Sequence, residues 1–299
     1  MICPIRTENL SKTFRGVAAL TGLDLVVPES GIYGLIGPNG AGKTTAIKTL
    51  MNIIRPTSGR AAVLGVDSAR LSPREFASIG YVAEDQELPA WMTVEYLLAY
   101  LKPFYPTWDE SLAAKMVREF NLPLGRKIQH LSHGMRRKAA LASSLAYRPQ
   151  LLILDEPFTG LDPLVRDELI EGMLGSAGHA SILISSHDLN EIETFVSHVG
   201  YLDRGRLRFS EEMTTLVERF REIEVAIGAA WPSPPSWPAT WMNVERADGL
   251  VRFVDNQFER DHTMAEIRRV LGEARQIETK PMPLRAIFVT LAKAARKEA

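Results

Sequence analysis

The 299-residue chain is 45% apolar and 24% charged, an ordinary globular balance that excludes a largely disordered chain. Its 35 Lys and Arg face 36 Asp and Glu, for a net charge of −1. That argues against a nucleic-acid coat or a polybasic membrane binder, since both need a strong field of one sign. Cys3 is the single cysteine, so no disulfide closes within the chain and a reducing compartment fits. No apolar run approaches the roughly 18 residues of a spanning helix, and Arg6 and Glu8 leave no room for a leader's apolar core. The expectation is a chain that stays in the cytoplasm and meets a membrane only through a partner.

In chain order, the first 36 residues read as short strands. Leu23, Leu25 and Val27 alternate with polar or small neighbours, and Ile32 to Ile36 form an apolar run that ends at Gly37. A helix follows, with Ala46, Ile47 and Leu50 on one face. From about residue 89 to 147 the pattern is helical. Thr107 with Glu110 reads as a capping box ahead of the apolar face Leu112, Met116, Val117 and Phe120. Leu151 to Leu154 and Ile182 to Ile184 are continuous apolar runs, as in parallel strands buried on both faces. The core is therefore α/β.

Near residue 220 the composition shifts. Ile223, Val225 and Ile227 alternate as in a strand, and the Trp231–Pro238 segment carries too many prolines for a helix interior. Asp248-Gly249 signals a hairpin. Thr263 with Glu266 reads as a second capping box, and Leu284, Ile287, Phe288 and Leu291 mark a last helix. Residues 219–299 form a small α+β domain on this reading, after a larger one over 1–218.

Gly37-Pro38-Asn39-Gly40-Ala41-Gly42-Lys43-Thr44, followed by Thr45, sits between a predicted strand and a predicted helix. The glycines let backbone N–H groups turn in on phosphate oxygens, and the helix N-terminus adds its positive end. Lys43 reaches the β- and γ-phosphates, and the Thr44 hydroxyl can ligate Mg²⁺. The Leu151–Leu154 strand ends in two adjacent carboxylates. Asp155 is placed to hold Mg²⁺ and Glu156 to polarise an attacking water. A turn cap before Pro157 is the plainer alternative for the pair.

At this point the chain resembles the ATP-binding subunits of ABC transporters. Leu131-Ser132-His133-Gly134-Met135 resembles the family signature, with His133 and Met135 where Gly and Gln are commonest. Thr159-Gly160-Leu161-Asp162 resembles the D-loop, Ser185-Ser186-His187 the switch histidine, and Phe14 the aromatic A-loop. The motifs stand in family order over residues 1 to about 215. The implied fold is a P-loop NTPase core of ABC type, with an N-terminal antiparallel β subdomain and a helical signature subdomain over about 88–147. The C-terminal domain resembles the accessory domain of ATPases serving ABC-2-type exporters.

The resemblance implies ATP and Mg²⁺ as ligands and gives each motif a role. Phe14 would stack on adenine, unless it is a core Phe. His187 would contact the γ-phosphate and hold the attacking water, unless it is a core or cap histidine. Ser132 and Gly134 would bind the γ-phosphate of ATP held by a second subunit, and Asp162 belongs to the same nucleotide interface. The Q-loop position is Glu84, two residues before Gln86. A carboxylate oxygen can ligate Mg²⁺ as an amide oxygen can, which favours Glu84 over Gln86. The basic residues Arg126, Lys127, Arg136, Arg137, Lys138 and Arg148 read as a solvated helix face more than as phosphate contacts. Trp231, Trp237 and Trp241 pin a Pro-rich loop or grip a partner.

The implied machine is an ATPase that dimerises, as a homodimer, around two ATP molecules and drives a separately encoded membrane permease, with no direct nucleic-acid contact. It would sit on the inner face of the cell membrane through that permease, touched near the Q-loop and residues 88–120, including Trp91 and Tyr96. The alternative is an ABC ATPase that acts on DNA or ribosomes. The single P-loop, the absence of sustained heptads and the near-neutral charge weigh against it.

Overall fold

The computed structural model describes residues 3–227, 236–247 and 249–297. Its contacts divide the chain into two compact units, 1–210 and 211–299.

The first unit runs β1 (Ile5–Phe14), β2 (Val17–Leu23), β3 (Val26–Val27), β4 (Ile32–Ile36), α1 (Lys43–Leu50), β5 (Ser58–Val63) and β6 (Val66–Asp67). It continues with α2 (Pro73–Phe76), β7 (Ile79–Val82), α3 (Val94–Leu101), α4 (Glu110–Glu119) and α5 (His133–Leu145). Then come β8 (Leu151–Asp155), α6 (Pro163–Ser176), β9 (Ser181–Ser186), β10 (His198–Asp203) and β11 (Arg206–Glu212). An antiparallel sheet, β2-β1-β5-β6 with β3 on β1, stands beside a six-stranded sheet ordered β11-β10-β4-β9-β8-β7. From β10 through β7 the six-stranded sheet is parallel.

Every residue of β8 and β9 is buried, which is why Leu151 to Leu154 and Ile182 to Ile184 within them read as unbroken apolar runs. The register then gathers chemistry at one end. Ile36 pairs with Ser186, and Asp155 pairs with Ser185. The loops after β4, β8 and β9 therefore open side by side at the carboxyl ends of the strands, where open α/β sheets place ligands. Ala46, Ile47 and Leu50 of α1 are fully buried beneath that end.

Helices α4, α5 and α6 pack together in the helical part. The Phe120 ring fills the space beside Gly172, where a Cβ would lie 2.3 Å from it. Two details depart from the sequence reading. The N-cap of α4 is Asp109, whose carboxylate accepts from Leu112 N, while the Thr107 hydroxyl donates to Tyr147 O at 2.5 Å. The basic face is not uniformly solvated either. Arg137 and Lys138 are buried, Lys138 in an ion pair with Glu168, because the α5 face that carries them packs under other elements.

The second unit contains α7 (Met213–Arg219), β12 (Arg221–Ala226), β13 (Trp241–Ala247), β14 (Leu250–Asp255), α8 (Arg260–Leu271), β15 (Gln276–Pro281) and α9 (Leu284–Lys297). Its antiparallel sheet is ordered β13-β14-β12-β15. Ile223, Val225, Trp241, Phe253 and Ile267 form its core. The contact boundary precedes residue 219 because α7 is bound into this unit. Arg219 pairs with Glu211 and donates to Asn256 O.

The expected hairpin closes with Ala247 opposite Leu250 around Gly249, whereas Asp248 and Trp231 lie outside the described residues. Trp241 stacks on Phe253 at 3.8 Å and on Trp237 at 6.1 Å, so those two rings pack inward. Thr263 is not a cap. It lies inside α8, fully buried, with its hydroxyl on Asp255 Oδ2 at 2.6 Å. Among the described residues no helix is long and apolar enough to cross a membrane.

Candidate active site

The loop from Gly37 to Gly42 leaves β4 and turns directly into α1. Gly42 sits at φ 109°, and a Cβ there would lie 2.5 Å from Ala19 O, so only glycine lets the chain turn this close to β2. No side chain caps α1 and its first turn holds no acidic residue. Its first N–H groups are left to an anion. The loop floors a cleft of about 300 Å³ lined by Asn39, Gly40, Ala41, Gly42, Lys43, Thr44 and Thr45, and by Ala19, Glu84 and Glu156.

Lys43 and Glu156 are each 5% exposed and form an ion pair at 3.1 Å. Lys43 Nζ also donates to Gly37 O at 2.6 Å and to Pro38 O at 3.3 Å. The other carboxylate oxygen of Glu156 accepts from His187 Nδ1 at 2.8 Å, from His187 N at 3.3 Å and from Thr159 Oγ1 at 3.2 Å. Burial works against the charge of Glu156. The His187 hydrogen bond and the Lys43 cation outweigh it and hold this carboxyl below the usual glutamate range. Glu156 also adopts a left-handed backbone, φ 48°, where an L side chain is strained.

Asp155 is held apart from this group. Its Oδ1 accepts from Ser185 Oγ at 2.7 Å and from Thr44 Oγ1 at 3.2 Å. Its Oδ2 is buried with no partner, and burial pushes its pKa up. An orphaned carboxylate oxygen beside a threonine hydroxyl fits Mg²⁺, which takes oxygen ligands. Among the described residues no three or more His, Cys, Asp or Glu cluster to cage a metal.

The other sequence-derived residues stand outside the cleft lining. Phe14 is 44% exposed at the end of β1, with Lys12 Nζ 4.9 Å from its ring centre, so it is no core residue. Ser132 caps α5 by accepting from Met135 N, and Asp162 caps α6 by accepting from Val165 N. Ala19 carries no motif that marks it in the sequence, and Ser185, read only as part of the switch-histidine motif, had no role there as the partner that holds Asp155. Gly134 has a packing reason besides any contact to phosphate, because a Cβ would lie 2.7 Å from Val165 Cγ1. Gly134→Ala is expected to destabilise the chain by about 1–3 kcal/mol through overpacking. Adding Val165→Ala should recover most of that in a denaturant titration.

Residues 20–159 match the family model for ABC transporters. The chain is 31% identical over 261 residues to the bacitracin transport ATP-binding protein BcrA of Enterococcus faecalis, covering 84% of each chain. It is 38% identical over 210 residues to the daunorubicin resistance ATP-binding protein DrrA2 of Streptomyces coeruleorubidus, covering 68% of this chain and 65% of that one. The solved ATP-binding subunit of an ABC transporter superposes with a TM-score of 0.65 at 29% identity, over 72% of this chain and 92% of that chain. The chain belongs to the family of ABC transporter ATP-binding proteins. It is an ATPase whose ligands are ATP and Mg²⁺.

Proposed function

We propose that this chain powers an exporter. Two subunits would pair around two ATP molecules and drive a separately encoded membrane permease, with residues 219–299 as an accessory domain. The observation that carries this is the convergence of Lys43, Thr44, Asp155, Glu156 and His187 on one strand-end cleft. The relatives named for bacitracin transport and daunorubicin resistance support the direction of transport.

In this reading Lys43 exchanges Glu156 for the triphosphate, which frees Glu156 to take a proton from the attacking water. His187 orients Glu156 through Nδ1 and bears on the γ-phosphate side. Thr44 and Asp155 would hold Mg²⁺, with Glu84 as a further oxygen ligand, and the ion would neutralise charge on the phosphates. Ser132 and Gly134, at the head of α5, would close on the partner's ATP, with Asp162 beside them. Phe14 would carry the adenine on its exposed ring.

Trp91, Tyr96, Tyr100 and Phe104 are exposed aromatic residues on α3 and the turns before and after it, paired as Trp91 with Tyr96 and Tyr100 with Phe104. Such residues suit a permease contact, since exposed aromatic groups mark interaction surfaces. Glu84 lines the cleft, whereas the Gln86 side chain is folded back onto Ala83 N at 3.2 Å. Glu84→Ala is therefore expected to lower coupled transport by about 10–100-fold, the usual effect of losing a group that orients metal chemistry. Gln86→Ala should cost less. Transport by the subunit reconstituted with its permease tests both the function and this order.

A further inference from the structure

Arg137 lies on α5 five residues beyond Ser132, about 7.5 Å along the helix axis at 1.5 Å per residue. It is 8% exposed. Its guanidinium leaves α5 and grips the loop that follows β7, with Nη1 donating to Ala83 O at 2.6 Å and Nη2 donating to Glu84 O. Its Nε is buried without a partner, and among the described residues it forms no ion pair. Arg137 shares the lining of a small, mostly apolar cavity with Val82, Leu141, Leu154, Phe158, Leu169 and Met173.

The grip adds little net stability, because losing Arg137 relieves the desolvation cost of a buried cation while the carbonyls of half-buried Ala83 and exposed Glu84 can turn to water. What it supplies is a rigid, two-pronged link. Among the described residues the other hydrogen bonds of this loop close on itself, with Ala83 N on Gln86 Oε1 and Gln86 N on Ala83 O. The two other side-chain bonds from this stretch to β7, from Ser144 to Tyr81 O and from Tyr147 to Ile79 O, stop short of Ala83.

We propose that Arg137 is a positioning residue that locks the Glu84 loop to α5, so that nucleotide met by Glu84 sets the orientation of Ser132 and Gly134 at the head of that helix. This rests on the paired-subunit reading above. The cleft where ATP enters and the surface that closes on the partner's ATP then move as one piece. Lysine could not replace the grip, since a point charge on a flexible stem has no fixed fork for two carbonyls.

Arg137→Met and Arg137→Lys in the full chain test this. Methionine fills the apolar surround, so Arg137→Met should melt at the wild-type temperature and bind a fluorescent ATP analogue within about twofold of wild type. Its ATPase kcat should fall about 10–100-fold, with the KM for ATP unchanged. Arg137→Lys should be intermediate. In the Glu156→Gln background, Arg137→Met should also abolish ATP-driven dimerisation.

Wild-type kcat in Arg137→Met overturns the proposal, and so does a kcat that falls only in step with a lowered melting temperature. If Arg137→Met does not fold, Arg137→Lys decides, and a folded lysine variant with wild-type kcat overturns it. If Glu156→Gln alone stays monomeric in ATP, the paired-subunit reading fails, and the kcat against KM split still decides the role of Arg137.

Discussion

Lys43→Ala is expected to abolish tight ATP binding. Lys43 is the mobile cation of the loop, held within reach of the cleft by Gly37 O, Pro38 O and Glu156. Without it the backbone cradle remains, but the triphosphate loses its nearest full positive charge. A second effect follows from the burial of the pair. Removing one partner of a buried ion pair costs on the order of 3–5 kcal/mol, because the other charge is left unmatched.

The pH dependence has a definite sign. In the wild type the lowered pKa of Glu156 stabilises the fold above the unfolded glutamate value, and that contribution is lost as pH falls through the folded one. In Lys43→Ala the buried carboxylate lacks its cation, so Glu156 gains by taking up a proton. The stability gap between the two proteins should then be widest near neutral pH and narrow on acidification. Calorimetric ATP titration and melting curves across pH measure both effects. Unchanged ATP affinity would remove the phosphate role from the loop.

Glu156→Gln should lower turnover by about 10²–10⁴, the usual loss for a positioned general base. The amide keeps the shape and can still accept from His187, but it cannot take a proton from water. Asp155 is tied separately to Ser185 and Thr44, so the Mg²⁺ side of the cleft is untouched. Lys43 meanwhile loses the carboxylate that competes with phosphate, and ATP should bind at least as tightly as in the wild type. Single-turnover hydrolysis beside a binding titration separates the two.

The chemistry was legible in the sequence where residue type and spacing were local. Gly37 to Thr44 and the Asp155-Glu156 strand end each carry their signal within a few residues, and the apolar runs Leu151 to Leu154 in β8 and Ile182 to Ile184 in β9 announce double-sided burial. The capping boxes at Thr107 and Thr263 were also local patterns, and they misled. Asp109 won the first cap, and the bond to Asp255, eight residues back at the end of β14, took the second threonine into the core. Arg137 read as part of a solvated basic face because its carbonyl partners lie far away in the chain. The pairing of Lys43 with Glu156, the approach of Ala19 to Gly42 and the fit of Gly134 against Val165 arise only once the sheets and helices pack. No window of sequence holds both partners.

The mass of Glu156→Gln in solution, with and without ATP and Mg²⁺, tests the central claim most directly. If the cleft and the α5 surface of two subunits enclose uncleaved ATP between them, size-exclusion chromatography with light scattering should give a monomer without nucleotide and a dimer with it. Adding Ser132→Arg, which drives a bulky side chain into the partner's γ-phosphate position, should return the dimer to monomer while each subunit still binds ATP. A Glu156→Gln protein that binds ATP and stays monomeric, or a dimer indifferent to Ser132→Arg, would contradict the account.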